Sequence, residues 1–152
     1  MYEAKLKELG ITLPETVKPL AAYVPAVQTG EYVYTAGQIP MVAGELAYKG
    51  KIGSDLTVEQ GYEAAKICAI NALSALKSVI GSLDNVERII KVVGFVNSAP
   101  GFTMQPKVIN GASEFLGEVF GEAGIHARSA VGVSELPIDS AVEVEIIVKV
   151  KA

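Results

Sequence analysis

The 152-residue chain contains no tryptophan, one cysteine and one histidine. A single cysteine cannot form an internal disulfide, and one cysteine with one histidine cannot supply the ligands of a typical zinc site. Cys68 falls within a helical pattern rich in alanine, which favours a small buried apolar side chain over a reactive thiol. We therefore expect a protein of a reducing compartment, the cytoplasm.

The sequence also lacks the common motifs of cofactor and catalytic sites. It has no P-loop, no GxGxxG between a strand and a helix, no HExxH, no CxxC and no GxSxG. Ser129 has no partner arrangement that would suggest a serine–histidine triad. We expect neither a metal ion nor a cofactor.

Charge and hydropathy exclude further classes. Thirteen basic and seventeen acidic residues give a net charge of −4, and the basic residues are scattered. Binding to nucleic acid depends on neutralising phosphates, so we expect no nucleic-acid partner. The N-terminus lacks an apolar signal core, and no apolar run has the length of a membrane span, so we expect no membrane partner.

The length predicts a single domain over residues 1–152, in which residues 1–19 form an extension with a helix and a loop. Half of the residues are apolar and the mean hydropathy is +0.36, which is high for a soluble chain of this size. This composition indicates apolar surface that is buried against other subunits.

Hydrophobic periodicity predicts the element order α-ββ(β)-α-β-α-ββ. The first helix ends before Gly10, and the longest helix begins at a capping box, Thr57 with Gln60, and ends at Gly81. Pro25 cannot donate to a ladder and places the first strand at a sheet edge. The predicted ranges are: helix 2–9, loop 11–17, hairpin strands 23–28 and 31–35, irregular segment 42–53 with a short strand at 45–48, helices 57–80 and 105–120, and strands 86–97, 128–133 and 142–150.

The strand at 86–97 is apolar on both faces, which predicts a central strand covered on both sides. Two long helices can cover only one face of a sheet of five or six strands. We therefore expect other copies of the chain to cover the second face in a symmetric homo-oligomer, with ligand sites between subunits.

The last two strands contain the first candidate site. Val131 and Val133 alternate with Arg128, Ala130 and Gly132, so Arg128 should lie beside two residues that leave room over the sheet. A guanidinium binds carboxylates in a bidentate manner, which suggests a small anionic ligand. The alternative is a surface arginine in an ion pair.

Each of the other candidate residues also has an explanation that involves no function. If the valine faces of the last two strands share one core, Glu143 lies on the same opposite face as Arg128, although it could be a solvated strand residue. His126 could be a hydrogen-bonded loop residue, Tyr23 an amphipathic residue at the edge of the core, and Asn110 a helix residue that either caps backbone or reaches a site.

The combination of these segments resembles the YjgF/Rid (reactive intermediate deaminase) family, in a subgroup of longer chains. The resemblance covers about residues 20–150, and the segment after Arg128 is its most specific part. The matching segments are Tyr23-Val24 with Thr29-Gly30 and residues 34–40 (YTAGQIP), residues 83–86 (LDNV) with 92–96, Asn110 with Phe115, and residues 128–131 (RSAV) with Leu136-Pro137 and residues 142–145 (VEVE).

The resemblance implies a chorismate-mutase-like α+β fold, with a mixed sheet of five to six strands and two long helices on one face, and a homotrimer with sites between subunits. It implies hydrolysis of 2-imino acids to 2-keto acids and ammonia. Arg128 would bind the substrate carboxylate and Glu143 would position or activate water. The pocket would be lined by Tyr23, Asn110, Ala130 and the backbone around Gly37.

The spacing bears on how such a site is assembled. If the last two strands form a hairpin near Pro137, Arg128 lies about 13 Å from Glu143 along the strands. We therefore predict that Arg128 and Glu143 meet across a subunit boundary.

Two residues depart from the archetypal deaminases, which have a serine where this chain has Ala36 and a cysteine where it has Ala130. An imine is already electrophilic, so positioning and one acid–base group can suffice for its hydrolysis. The alternative is a non-catalytic trimer that binds small carboxylates as a sensor or partner-binding module. The endoribonuclease label carried by the family ranks third, because the chain is acidic and has no basic patch.

Overall fold

The computed structural model describes residues 1–16 and 22–152 and has the predicted α+β architecture. The expected loop at residues 11–17 is described as far as Thr16, and the rest of the proposed 1–19 extension lies outside the described residues. The elements are α1 (Tyr2–Glu8), β1 (Ala26–Thr29), β2 (Tyr32–Thr35), β3 (Met41–Val42), β4 (Glu45–Leu46), α2 (Val58–Ile80), β5 (Val86–Asn97), α3 (Gln105–Phe120), β6 (Ala127–Val133) and β7 (Val142–Val150).

Local signals in the sequence set the ends of the helices. Thr57 is the N-cap of α2, and its side chain and that of Gln60 form the predicted capping box. Gly81 ends α2 with a φ of 81°, a conformation that glycine adopts without strain. The predicted helix at residues 105–120 is confirmed with the same bounds.

Five strands form one mixed sheet in the order β1-β2-β7-β5-β6, and β3 pairs with β4 in a separate two-stranded ribbon. The edge position of the first strand is confirmed, although β1 begins at Ala26, after Pro25. The predicted hairpin between the last two strands is wrong. β5 lies between them, parallel to β6 and antiparallel to β7.

Both long helices pack on one face of the sheet. On this face, called here the helix face, the side chains of β5 and β7 are buried, among them Val92 and Ile146. Cys68 on α2 is buried as predicted. The two helices pack closely where they cross. A Cβ at Gly111 of α3 would collide with the backbone carbonyl of Tyr62 on α2.

The second face of the sheet, called here the open face, carries large apolar side chains that are partly exposed. Val27, Tyr34 and Val131 expose 53%, 45% and 44% of their surface. No helix of the described ranges packs on this face, where Phe95 lies near the C-terminal end of β5. Cover from other subunits therefore remains a prediction.

The first helix is attached to the end of α2 through carboxylates. Asp84 Oδ1 accepts hydrogen bonds from the backbone amides of Tyr2 (2.7 Å) and Glu3 (3.1 Å), which begin α1. Glu3 in turn accepts from the Leu83 amide (2.7 Å) and pairs with Lys77 Nζ (2.8 Å). These contacts fix α1 against the passage from α2 to β5.

Among the described residues, no helix is both long enough and apolar enough to cross a membrane.

Candidate functional site

Arg128 on the edge strand β6 is held by side chains of α3. Its Nη1 donates hydrogen bonds to Asn110 Oδ1 (2.8 Å) and to Ser113 Oγ (3.2 Å). Asn110 was a predicted site residue, whereas Ser113 was not. Ser113 lies three residues after Asn110 and therefore on the same side of the helix, which is the signal that would have suggested it.

His126 extends this cluster. Its Nε2 lies 2.9 Å from Ser113 Oγ, and its Nδ1 lies 2.6 Å from the carbonyl oxygen of Gly124. Partial burial lowers the pKa of His126, the Gly124 carbonyl raises it, and the charge of Arg128 lowers it further, with a net decrease. The imidazole is therefore neutral at neutral pH, and since a carbonyl can only accept, Nδ1 carries the proton.

The arginine lies on the face opposite to the one that the sequence predicted. Arg128 pairs with Val92, whose side chain is fully buried, and cross-strand partners share a face of the sheet. Arg128 and Ala130 therefore point to the helix face, and the apolar Val131 points to the open face. The expectation that the valines of β6 face the core is wrong.

Ala130 pairs with Gly94 of β5. A Cβ at Gly94 would collide with Ile109 of α3. The space between α3 and β6 is therefore narrow next to Arg128. Ala130 is partly buried and packs against the core.

Glu143 forms a second group with Gly37. Glu143 pairs with Phe95 and so lies on the open face, where its carboxylate extends over the backbone of Gly37. A side chain at residue 37 would displace this carboxylate from its present position. Burial raises the pKa of Glu143, and the nearby charge of Glu145 raises it further.

Tyr23 and Gly37 line a cavity of about 660 Å³ that lies beside the middle of α2. Ala36 also lines it, together with Asn71 and Ser74 of α2. Asn71 donates to the carbonyl oxygens of Ile39 and Met41, which fixes the loop that follows β2. The cavity wall is therefore built from a helix and a loop that is held to it.

The predicted site residues thus fall into two groups within one chain. Arg128, Asn110 and Ala130 lie under α3 at the β6 edge, whereas Glu143 and Gly37 lie on the open face, with Tyr23 and Gly37 lining the cavity. Arg128 stands opposite Val92 and Glu143 opposite Phe95, three residues further along β5. This register separates Arg128 from Glu143 by about 10 Å along the strands and about 10 Å across them.

Within residues 1–16 and 22–152, no group of three or more histidine, cysteine, aspartate or glutamate side chains is placed to hold a metal ion.

The architecture and the segments around Arg128 and Glu143 define a known class of protein. A family model described as "YjgF/chorismate_mutase-like, putative endoribonuclease" matches residues 3–150. The chain therefore belongs to the YjgF/chorismate-mutase-like family.

Relatives with different descriptions share this family. The chain is 44% identical over 147 residues to Protein TCP17 of Trypanosoma cruzi, covering 96% of this chain and 92% of that protein. It is 31% identical over 143 residues to a 2-iminobutanoate/2-iminopropanoate deaminase of Dermatophagoides farinae, covering 93% and 95%.

Solved structures have the same fold. The crystal structure of Atu1372 from Agrobacterium tumefaciens, a protein described as having unknown function, superposes with a TM-score of 0.92 at 44% identity and covers 99% of this chain and 92% of that one. TdcF of E. coli, solved with bound serine, superposes with a TM-score of 0.62 at 26% identity and covers 89% and 92%.

Proposed function

We propose that the protein hydrolyses 2-imino acids to 2-keto acids and ammonia, at sites formed between the subunits of a homotrimer. The observation that carries this proposal is the guanidinium of Arg128, which Asn110 and Ser113 hold in one orientation. Among the described residues, no carboxylate forms a salt bridge with Arg128. An arginine that is fixed and has no acidic partner is suited to bind a substrate carboxylate.

Glu143 supplies the second part of the proposed chemistry. Its pKa is raised by burial and by Glu145, so its carboxyl group exchanges protons closer to neutral pH than an ordinary glutamate does. In the proposed reaction, Glu143 orients a water molecule and accepts its proton as the oxygen bonds to the imine carbon. The electron pair of the C=N π bond of the protonated imine moves to nitrogen, which gives a carbinolamine. Glu143 then returns the proton to this nitrogen, the C–N bond breaks as ammonia leaves, and the hydroxyl group loses its proton to solvent as the 2-keto acid forms.

The composite site follows from the separation of the two groups. A small imino acid cannot contact both Arg128 and Glu143 of one chain across roughly 10 Å in each direction and through the sheet. The apolar side chains of the open face, such as Val131, and the position of Arg128 on the edge strand β6 support an assembly in which the β6 edge of one subunit lies against the open face of the next. In the proposed trimer, Arg128 of one subunit meets Glu143 and the cavity beside Gly37 of the next.

Two kinds of relative support this assignment. The mite protein is described as a deaminase of 2-iminobutanoate and 2-iminopropanoate, and the E. coli neighbour binds serine, a small molecule with a carboxylate. Both support a small carboxylate ligand here. The acidic net charge of −4 argues against RNA as the substrate.

The alternative is a trimer that binds small carboxylates without turnover, as a sensor or partner-binding module. Ala36 in the cavity wall and Ala130 beside Arg128 favour it, because both lack a polar group that could take part in proton transfer. This alternative keeps Arg128 as the carboxylate-binding residue and assigns no reaction to Glu143.

A coupled assay separates the two proposals. An amino-acid oxidase generates the imino acid in the presence of semicarbazide, and faster hydrolysis lowers the semicarbazone signal. We expect the wild type to lower the signal, and Arg128→Ala and Glu143→Gln to abolish the effect, with Glu8→Gln as a control at an exposed carboxylate far from both groups. Binding of pyruvate to the wild type without any turnover would instead support the non-catalytic trimer.

A further inference from the structure

A continuous hydrogen-bond chain runs behind the guanidinium of Arg128. It comprises the Gly124 carbonyl, His126, Ser113 and Arg128, linked at 2.6, 2.9 and 3.2 Å. Its members come from the turn after α3, the middle of α3, the residue before β6 and β6 itself.

The direction of every hydrogen bond in the chain is determined by chemistry. The Gly124 carbonyl only accepts, so His126 Nδ1 donates to it and the neutral ring leaves Nε2 as an acceptor. The Ser113 hydroxyl therefore donates to Nε2 and keeps its lone pairs for Arg128 Nη1, which can only donate. A histidine with its proton on Nε2 would place two donors against the Ser113 oxygen and leave its own Nδ1 facing a carbonyl.

We infer that His126 and Ser113 are positioning residues for Arg128, and that they orient its guanidinium for carboxylate binding by fixing the Ser113 hydroxyl as an acceptor. This inference rests on the proposed role of Arg128 as the carboxylate-binding residue. Ser113 and Asn110 both bind Nη1, so the guanidinium is held through one nitrogen and its plane is fixed. Neither His126 nor Ser113 needs to touch the substrate.

The contacts of Ser113 differ from those of a serine that bonds only within its own helix. A serine inside a helix can bond to a carbonyl of its own preceding turn, as Ser78 does with Ala75 in α2. Ser113 instead directs its hydroxyl away from α3, to a histidine and an arginine on the neighbouring segment. The hydroxyl is therefore arranged around Arg128.

The chain's single histidine allows a direct spectroscopic test. Nitrogen NMR of the intact protein at pH 8.5 reports which ring nitrogen carries the proton, and only one imidazole contributes. We expect a protonated Nδ1 and an unprotonated Nε2. The opposite tautomer would overturn the inferred chain.

Ligand binding tests the positioning role. We expect Ser113→Ala and His126→Leu to weaken pyruvate binding about tenfold, which corresponds to about 1.4 kcal/mol, because one hydrogen bond to the guanidinium is lost or misdirected. His126→Gln, whose amide can both accept and donate, should restore binding to within about twofold of wild type. Ser78→Ala on α2 is the matched serine control.

Turnover of imino acids adds a readout that a general loss of stability would not reproduce. In Ser113→Ala and His126→Leu, KM should rise about tenfold while kcat changes by less than about twofold, because carboxylate binding is lost in ground and transition state alike. If Ser113→Ala and the wild type bind pyruvate with equal affinity, the positioning role of Ser113 and His126 is wrong, whereas the carboxylate-binding role of Arg128 stands. A wild type that binds no pyruvate would overturn the carboxylate-binding role of Arg128, and the positioning role with it.

Discussion

Arg128 and Glu143 lie on opposite faces of the same sheet. Arg128 is level with Val92 on the helix face, and Glu143 is level with Phe95 on the open face. The guanidinium points toward α3, whereas the carboxylate extends over Gly37. A site that uses both groups must therefore take them from different chains.

This relationship predicts complementation between inactive variants. In the proposed homotrimer, Arg128→Ala and Glu143→Gln should each be inactive, but a mixture reassembled from both should recover activity. If each site takes one group from each of two neighbouring subunits, random 1:1 mixing leaves about a quarter of the sites with both groups intact. The imine-hydrolysis rate of the reassembled mixture measures this fraction.

The control for complementation is the double variant Arg128→Ala/Glu143→Gln mixed with the wild type. In a 1:1 mixture of this kind, about a quarter of all sites are intact when the two groups come from two chains, but about half are intact when both groups come from one chain. A mixture of the single variants that stays inactive would contradict the composite site.

Local features of the sequence predicted much of the fold, because they act within a few residues. The capping box at Thr57 and Gln60 and the glycine at position 81 set the ends of α2 in the structure as they do in the pattern. Pro25 likewise has no amide hydrogen to donate, and β1 begins one residue later, at the edge of the sheet. None of these features depends on distant contacts.

The errors arose where distant contacts decide. The short connection between β6 and β7 favoured a hairpin, but β5 pairs with both strands and lies between them. The predicted faces of β6 are also reversed, because apolar alternation in a strand ordinarily marks the side that faces the core. In the structure, α3 presents Asn110 and Ser113 to the polar side of β6, and Val131 faces outward.

The pKa of Glu143 predicts a pH dependence of turnover. Within one chain, burial and Glu145 raise this pKa, and in the proposed trimer the guanidinium of the neighbouring subunit lowers it, so the acidic limb of the kcat/KM profile should respond to both charges. Glu145→Gln removes the smaller of the two causes that raise the pKa and should move the limb to lower pH, without removing it. The profile is measured by the semicarbazide-coupled assay between pH 4 and 9, with Glu8→Gln as a control for altered net charge. An unmoved limb in Glu145→Gln would show that Glu145 does not act on the titrating group.

The close crossing of α2 and α3 predicts opposite effects for two substitutions in one helix. Gly111→Ala places a methyl group against the Tyr62 carbonyl and should lower the free energy of unfolding by about 2–3 kcal/mol or prevent folding. Gly117→Ala meets no atom within 4 Å and should raise it by about 0.5–1 kcal/mol, because alanine loses less backbone entropy in a helix. Urea denaturation of both variants measures the difference. A stable Gly111→Ala protein would contradict the helix separation described here.

The attachment of α1 predicts that part of the stability is lost in acid. Two amide hydrogen bonds, from Glu3 and Tyr2, lower the pKa of Asp84. For Glu3, burial raises the pKa, but the bonds from Lys77 and Leu83 outweigh it and lower the pKa overall. Carboxyl groups with a pKa below the unfolded value stabilise the fold above that value, and this stabilisation is lost as the pH falls through the folded pKa.

The thermal midpoint of the wild type should therefore fall as the pH is lowered from about 5 to 3, where carboxyl groups titrate. The double variant Glu3→Gln/Asp84→Asn should have a lower midpoint at pH 7 and a flatter decrease toward pH 3, because both ionisations are removed. Glu8→Gln, at an exposed residue of the same helix that pairs with Lys5, should follow the wild type. If the thermal midpoints of the double variant and the wild type fall in parallel with pH, these two carboxylates are not the source of the acid sensitivity. The slope would then come from groups that both proteins share.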